Sequence, residues 1–407
     1  MEKRWKLNNS LLKIVLMNCN LIPVKKLVVV GGLLFSFPVL LFSQSDFHIK
    51  DVSGFQDSRH HWMDITDHEQ VIVPAKDQAR FTSADIRQIA DNILLYQQPN
   101  GGWPKNYDML AILTEEQKAI LSQHKDSLHT TFDNGATYTQ IEYLAKAYTL
   151  LGDKKYEDAV LRGLHFILKA QYGNGGWPQF YPDKSGYRKY ITFNDDAMIG
   201  LLTVFQHIVQ NESYYSFVHI DLRKQIEQSY QNGIDCILKC QIKENGKPTV
   251  WCQQYDNITL KPVGARTFEL ASKASEESAN IVAFLMQIKY PNKEIITAVT
   301  DAVNWFNEVA IKDTRIKTIP AKDVVYKYHE AKNDKIVVTD SSAPDIWTRY
   351  YELGTNRPFF ANRDGKVVYE LSEVSRERRT GYAWYGYWPE KIIKEYLQWL
   401  QRIKSKK

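Results

Sequence analysis

The chain has 407 residues, 44% hydrophobic and 24% charged, with a formal charge of +5. That composition builds a folded protein with a large core and excludes an intrinsically disordered chain. The excess charge is confined to the first 43 residues, where Lys3, Arg4, Lys6, Lys13, Lys25 and Lys26 face only Glu2; residues 44–407 are formally neutral, and no nucleic-acid partner is expected.

Residues 1–43 read as a secretory signal. Lys25 and Lys26 precede an apolar run from Leu27 to Phe42, broken by Gly31, Gly32, Ser36 and Pro38 and ending at small Ser43. The run is short for a bilayer span, and its glycines and proline weaken a helix. Cleavage is therefore expected in place of stable membrane insertion, giving a secreted or periplasmic protein. Residues 44–78 form an N-terminal extension with no recognisable pattern, and residues 79–407 make up one domain. Outside the signal stand Cys236, Cys240 and Cys252. An odd number excludes complete internal pairing. Cys240 and Cys252 suit a bridge, Cys236 and Cys240 suit one helix face, and a zinc site lacks ligands.

Most of residues 79–407 shows helical periodicity, in Ile86/Ile89/Ile93/Leu94, Ile141/Leu144/Ala145/Tyr148, Ile199/Leu202/Phe205/Ile208, Ile281/Phe284/Ile288 and Ile392/Ile393/Tyr396/Leu397. Only Lys335–Val338 and Lys366–Tyr369 suggest short strands. The fold class is all-α. Between helices a loop recurs: Pro99-Asn-Gly-Gly-Trp103-Pro104-Lys-Asn-Tyr107, then Gly173-Asn-Gly-Gly-Trp177-Pro178-Gln-Phe-Tyr181, and more weakly Asn245-Gly-Lys-Pro-Thr-Val-Trp251. The tryptophans are 74 residues apart, room for one helical hairpin plus loops, and three such units closing on themselves make a toroid whose loops gather at one end. Loops on such a scaffold are where sites sit.

A second element is matched: Thr131-Phe-Asp133-Asn134-Gly-Ala136 and Thr192-Phe-Asn194-Asp195-Asp196-Ala197 each lead into a helix. Helix capping alone would favour Asp and Asn there. Two near-copies at equivalent positions point instead to a calcium ion, which takes several oxygen ligands from different segments.

Together, the twin Asn-Gly-Gly-Trp-Pro loops, these two acidic elements, Trp251-Cys-Gln-Gln-Tyr-Asp256, Gly264-Ala-Arg266-Thr-Phe-Glu269 and Arg363-Asp-Gly-Lys closely resemble the family 10 polysaccharide lyases, which are pectate lyases. The resemblance runs from about Ala79 to Trp388 and makes residues 79–407 the catalytic domain. It implies an (α/α)3 toroid with the polysaccharide in a groove across one face, cleaving polygalacturonate by β-elimination; a monomer is expected. By motif position, Asp133, Asn134 and Asp195 look like the calcium ligands, with Asp196 able to stand in for Asp195. Arg266 looks like the base, and Arg349 and Arg363 look like the arginines that hold substrate carboxylates. Trp103 and Trp177 are expected to line the groove, where sugar faces stack on aromatic rings. From local sequence alone, Arg266 reads as a structural ion pair with Glu269 or Glu276; the surrounding family motif reverses that reading. Two other classes stay open: a toroid glycoside hydrolase using a pair of carboxyl groups, and a non-catalytic uronate-binding protein.

Overall fold

The computed structural model describes residues 49–65 and 69–405, so the signal reading falls outside it. Asp46–Lys407 forms one compact unit. Among the described residues no helix is long and apolar enough to cross a membrane. The helices there are α1 (Gln56–Met63), α2 (Ile86–Tyr96), α3 (Glu115–Gln123), α4 (Tyr138–Leu151), α5 (Lys154–Ala170), α6 (Ala197–Val209), α7 (Ile220–Cys240), α8 (Ser275–Gln287), α9 (Lys293–Glu308), α10 (Arg376–Thr380) and α11 (Trp388–Lys404).

The apolar residues that announce these helices are the ones they bury, such as Ile89 and Ile93 on α2 and Ile141 and Leu144 on α4. Helices α4 and α5, α6 and α7, and α8 and α9 pair as successive hairpins. The first members pack side by side, α4 on α6, α6 on α8 and α8 on α11. A second row runs α2 to α5 to α7 to α9. Helix α6, in the middle, is buried along most of its length.

The repeated loops are seated by one bond. Trp103 Nε1 donates to Ile93 O at 2.9 Å, Trp177 Nε1 to Ile167 O at 2.9 Å, and Trp251 Nε1 to Ile237 O at 2.8 Å. Each acceptor lies in the last turns of the preceding helix, α2, α5 or α7, whose final carbonyls lack helical partners. All three indoles are fully buried, so the weak third copy is a true structural repeat. Trp347 is a fourth, donating to Phe306 O near the end of α9 at 2.8 Å. A glutamine just past each of the first three helices completes the joint. Gln97 Nε2 binds Gly101 O in its own loop and Ala159 O on α5; Gln171 binds Gly175 O and Ser229 O on α7; Gln241 binds Thr249 O and Ala298 O on α9. Each loop is thereby tied to the next helix of its row.

Strand pairing is local. Ile191–Thr192 pairs with Gln254–Tyr255, which pairs with Pro262–Val263; Lys273–Ala274 pairs with Tyr350–Tyr351, and Phe360–Ala361 with Val367–Val368. The long element is a hairpin of Thr314–Val325 and Glu330–Thr339, bulged between Pro320 and Val324. Both expected strands are present, and the partner Thr314–Val325 went unseen because neither of its faces is steadily apolar. Within the 44–78 extension, the described residues bury Phe55 and Trp62 and form α1. Cys236, Cys240 and Cys252 are buried and unbridged.

Gly101 and Gly175 show why the loops need glycine. At φ +96° and +93°, an added Cβ would lie 2.3 Å from Arg162 O and 2.0 Å from Asn232 O, the backbone of the next helix. Gly152, at φ +66°, has open space around it. Gly175→Ala should therefore cost clearly more stability in urea unfolding than Gly152→Ala, whose penalty is the left-handed backbone alone, about 1–2 kcal/mol. Equal losses would show that the loop does not depend on this close approach.

Candidate active site

The two acidic elements sit where chain enters α4 and α6. The backbone is left-handed at Asn134 (φ 51°) and Thr137 (φ 73°) in the first, and at Asp195 (φ 50°) and Asp196 (φ 56°) in the second. Such conformations cost non-glycine residues of order 1 kcal/mol each and persist only where surrounding contacts enforce them. Neither helix receives a side-chain cap, so capping does not explain these acids.

Asp133 is buried, with Oδ2 accepting from Lys105 Nζ at 2.6 Å and Oδ1 from Gln179 Nε2 at 2.9 Å. Burial pushes its carboxyl up, but the Lys105 ammonium and the hydrogen bonds outweigh it and hold it down at about 2. Asn134 is buried, its amide nitrogen spent on Asn106 Oδ1 at 2.8 Å. Asp195 is reachable by water but walled by protein; burial, then the charge on Asp133, lifts its carboxyl well above the usual range. Arg349 and Arg266 pull the other way, which places all four groups in one field.

Arg266 is exposed and clamped. Its Nε donates to Glu269 Oε2 at 2.7 Å, its Nη2 to Glu269 Oε1, and its guanidinium lies 4.9 Å from the centre of the Phe268 ring. Burial alone would ease its proton off, yet the Glu269 carboxylate prevails and holds the guanidinium well above its ordinary value. The local ion-pair reading therefore holds, with Glu269 as the partner. Glu269 is buried and also accepts from Tyr382 OH at 2.9 Å. Arg363 is exposed, paired with Glu377 through bonds of 2.9 and 2.7 Å, and lies on the same Phe268 ring at 5.5 Å. Arg349 is buried. Its Nη2 binds Asn194 Oδ1 at 2.9 Å and Glu277 at 2.6 Å, and its Nη1 approaches Glu276 at 2.9 Å. It braces the second acidic turn from behind.

The expectation for Trp103 and Trp177 is corrected: both are fully buried and bonded to helix carbonyls, so neither indole face can meet a sugar. Sequence reasoning missed Lys105 and Gln179, although they occupy the same place after Trp-Pro in the two repeated loops and converge on the same carboxylate. That correspondence was the available signal. It also missed the extension's part: Ser58 on α1 donates to Tyr107 O at 2.9 Å, and Glu69 lies 3.1 Å from Lys105.

A family model for pectic acid lyase matches residues 97–393. A family 10 polysaccharide lyase from Cellvibrio cellulosa is similar in structure, with 34% identity and a TM-score of 0.65 over 77% of this chain and 92% of its own. An aspartate-to-alanine variant of the family 10 lyase from that organism, solved with trigalacturonic acid, matches to the same extent. Comparison with curated proteins finds no match. The chain belongs to the family 10 polysaccharide lyases, the pectic acid lyases. It is thus a polysaccharide lyase.

Asp196 gives a test of the site's electrostatics. Burial raises its carboxyl to about 6 against the 2.8 Å hydrogen bond from Asn280. A folded value above the unfolded one, about 3.9, means that ionisation costs stability above pH 6 and nothing below about pH 4. In chelator, Asp196→Asn should stabilise the chain at pH 8 by about 1–3 kcal/mol and leave it nearly unchanged at pH 4. Stabilisation independent of pH would show that Asp196 is not strained by its charge.

Proposed function

We propose that this lyase cleaves α-1,4-linked polygalacturonate by β-elimination, with Arg266 taking the proton from carbon 5 of a bound galacturonate. The observation that carries the reading is Arg266 itself, an accessible guanidinium fixed by a buried carboxylate in the field of two acidic turns. The succession of helical hairpins supports the (α/α)3 toroid implied by the sequence.

Asp133, Asn134 and Asp195 offer a hard cation two carboxylates and an amide oxygen, and the repulsion between the two acids is what a cation relieves. Among the described residues no group of three or more His, Cys, Asp or Glu side chains is placed to hold a metal. An ion taking six to eight oxygens must therefore draw the remainder from water and uronate. Calcium held there would neutralise the substrate carboxylate and so make the proton beside it more acidic.

The rest falls to the chain's own groups. The proton passes from carbon 5 to a neutral Arg266 nitrogen, the electron pair forms the double bond between carbons 4 and 5, and the bond from carbon 4 to the glycosidic oxygen breaks. That oxygen takes a proton from water. Glu269 fixes the plane and direction of the guanidine, while Arg363 offers a planar fork to a uronate carboxylate along the groove. Because Glu269 holds Arg266 protonated, the reactive neutral fraction is small and grows with pH, so the rate should climb into the alkaline range.

Turnover is read as ultraviolet absorbance of the unsaturated product. Arg266→Ala should lose about 10²–10⁴-fold or more in kcat with a far smaller change in substrate affinity. Arg266→Lys should recover part of it only at high pH. Near-normal turnover in Arg266→Ala would remove Arg266 from the base role. Excess chelator should abolish activity and added calcium restore it; full activity in chelator would remove the metal.

A further inference from the structure

Lys105 stands between carboxylates from two parts of the chain. Its ammonium is 2.6 Å from Asp133 Oδ2 and 3.1 Å from Glu69 Oε2. Glu69 precedes residues 97–393, the stretch matched by the family model. Its segment is fastened to the site: Ser58 exchanges hydrogen bonds with the Tyr107 backbone, and Gly54 O stands where a Cβ on Gly135, in the first acidic turn, would meet it at 3.2 Å. Glu69 also pairs with Arg188, and Lys105 and Arg188 both lie against the Phe180 ring, at 5.4 and 4.5 Å.

This arrangement sets up a competition. The ammonium holds the oxygen of Asp133 that a divalent cation would take, and two cations cannot share it closely. Displacing a mostly buried ammonium without a partner carries a large desolvation cost. Here a second carboxylate is already within reach, so a small swing replaces one ion pair by another. Glu69 already sets its carboxylate against both cations, the Lys105 ammonium and the Arg188 guanidinium.

We propose that Lys105 is a resident cation for Asp133 and that Glu69 is the positioning residue that receives it when calcium takes the carboxylate, an inference that rests on Asp133 being a calcium ligand. The segment before the family-matched region then sets the metal affinity of the site without touching the metal.

Calorimetric titration of calcium into chelator-stripped protein, with digalacturonate present, tests the exchange. Lys105→Met should tighten binding about tenfold by removing the competitor, and Glu69→Gln should weaken it about tenfold by removing the carboxylate charge that receives the ammonium. In the Lys105→Met background, Glu69→Gln should change affinity less than about twofold, because no ammonium remains to be received. Glu69→Asp should restore most of the affinity. Two effects that simply add would show a general field of charge and overturn the exchange while leaving the calcium reading intact. Weaker binding in Lys105→Met would overturn it as well, and that sign alone decides if Glu69→Gln does not fold. A wild-type chain that binds no calcium would sink both readings.

Discussion

The bond from a buried indole to the last carbonyls of a helix is the interaction on which the rest of this molecule depends. A helix end leaves acceptors that must be satisfied, and a buried Trp N–H must find one; each repeat joins the two needs. Trp103, Trp177 and Trp251 hold the loop that follows a helix back against it, and Gln97, Gln171 and Gln241 tie that loop to the next helix of the row. Loop position is thereby fixed relative to two helices at once. The acidic turns follow from this, because Thr131 N binds Trp103 O and Thr192 N binds Trp177 O. Chemistry that needs oxygen atoms from separate segments thus rests on a chain of bonds leading into the core.

At the site itself, neighbouring carboxyl groups are driven in opposite directions. Asp133 is held ionised by Lys105 and Gln179, while Asp195 is pushed toward protonation by burial and by Asp133. Left-handed residues shape both turns, Asn134 and Thr137 in the first and Asp195 and Asp196 in the second. Arg266 is clamped in a way that favours its charged form. The same Glu269 that lowers the supply of neutral guanidine also fixes its aim, so orientation and basicity are traded within one ion pair.

The helices were legible because 3.6-residue spacing carries directly into burial, and the repeat was legible because the three tryptophans keep their interval. The site was legible in part. Asp133, Asn134, Asp195 and Arg266 were singled out through motif context alone, since a short acidic turn looks the same in sequence whether or not it caps a helix; in the structure Asp133, Asp195 and Arg266 act on one another electrostatically. The roles of Trp103 and Trp177 were misread, because aromatic rings in loops suit sugar faces, whereas each loop folds back and inserts its indole as an anchor. Glu69 and the hairpin strand Thr314–Val325 left no pattern: one acts through a partner 36 residues away, and the other is covered on neither face.

That hairpin carries a consequence for how molecules of this protein meet one another. A two-stranded ribbon has two edges, and an exposed edge is a template for another chain's backbone. One edge is partly covered, since Arg376 donates to Asn333 O and Ala331 O and Arg379 pairs with Asp334. The opposite strand, Thr314–Val325, bears Lys317 and Lys322, a proline at 320 that offers no N–H, and the bulge beside it. An incoming strand would meet a missing donor at Pro320, a register broken by the bulge and two exposed ammonium groups that pairing would desolvate, so this edge is a poor template for sheet extension.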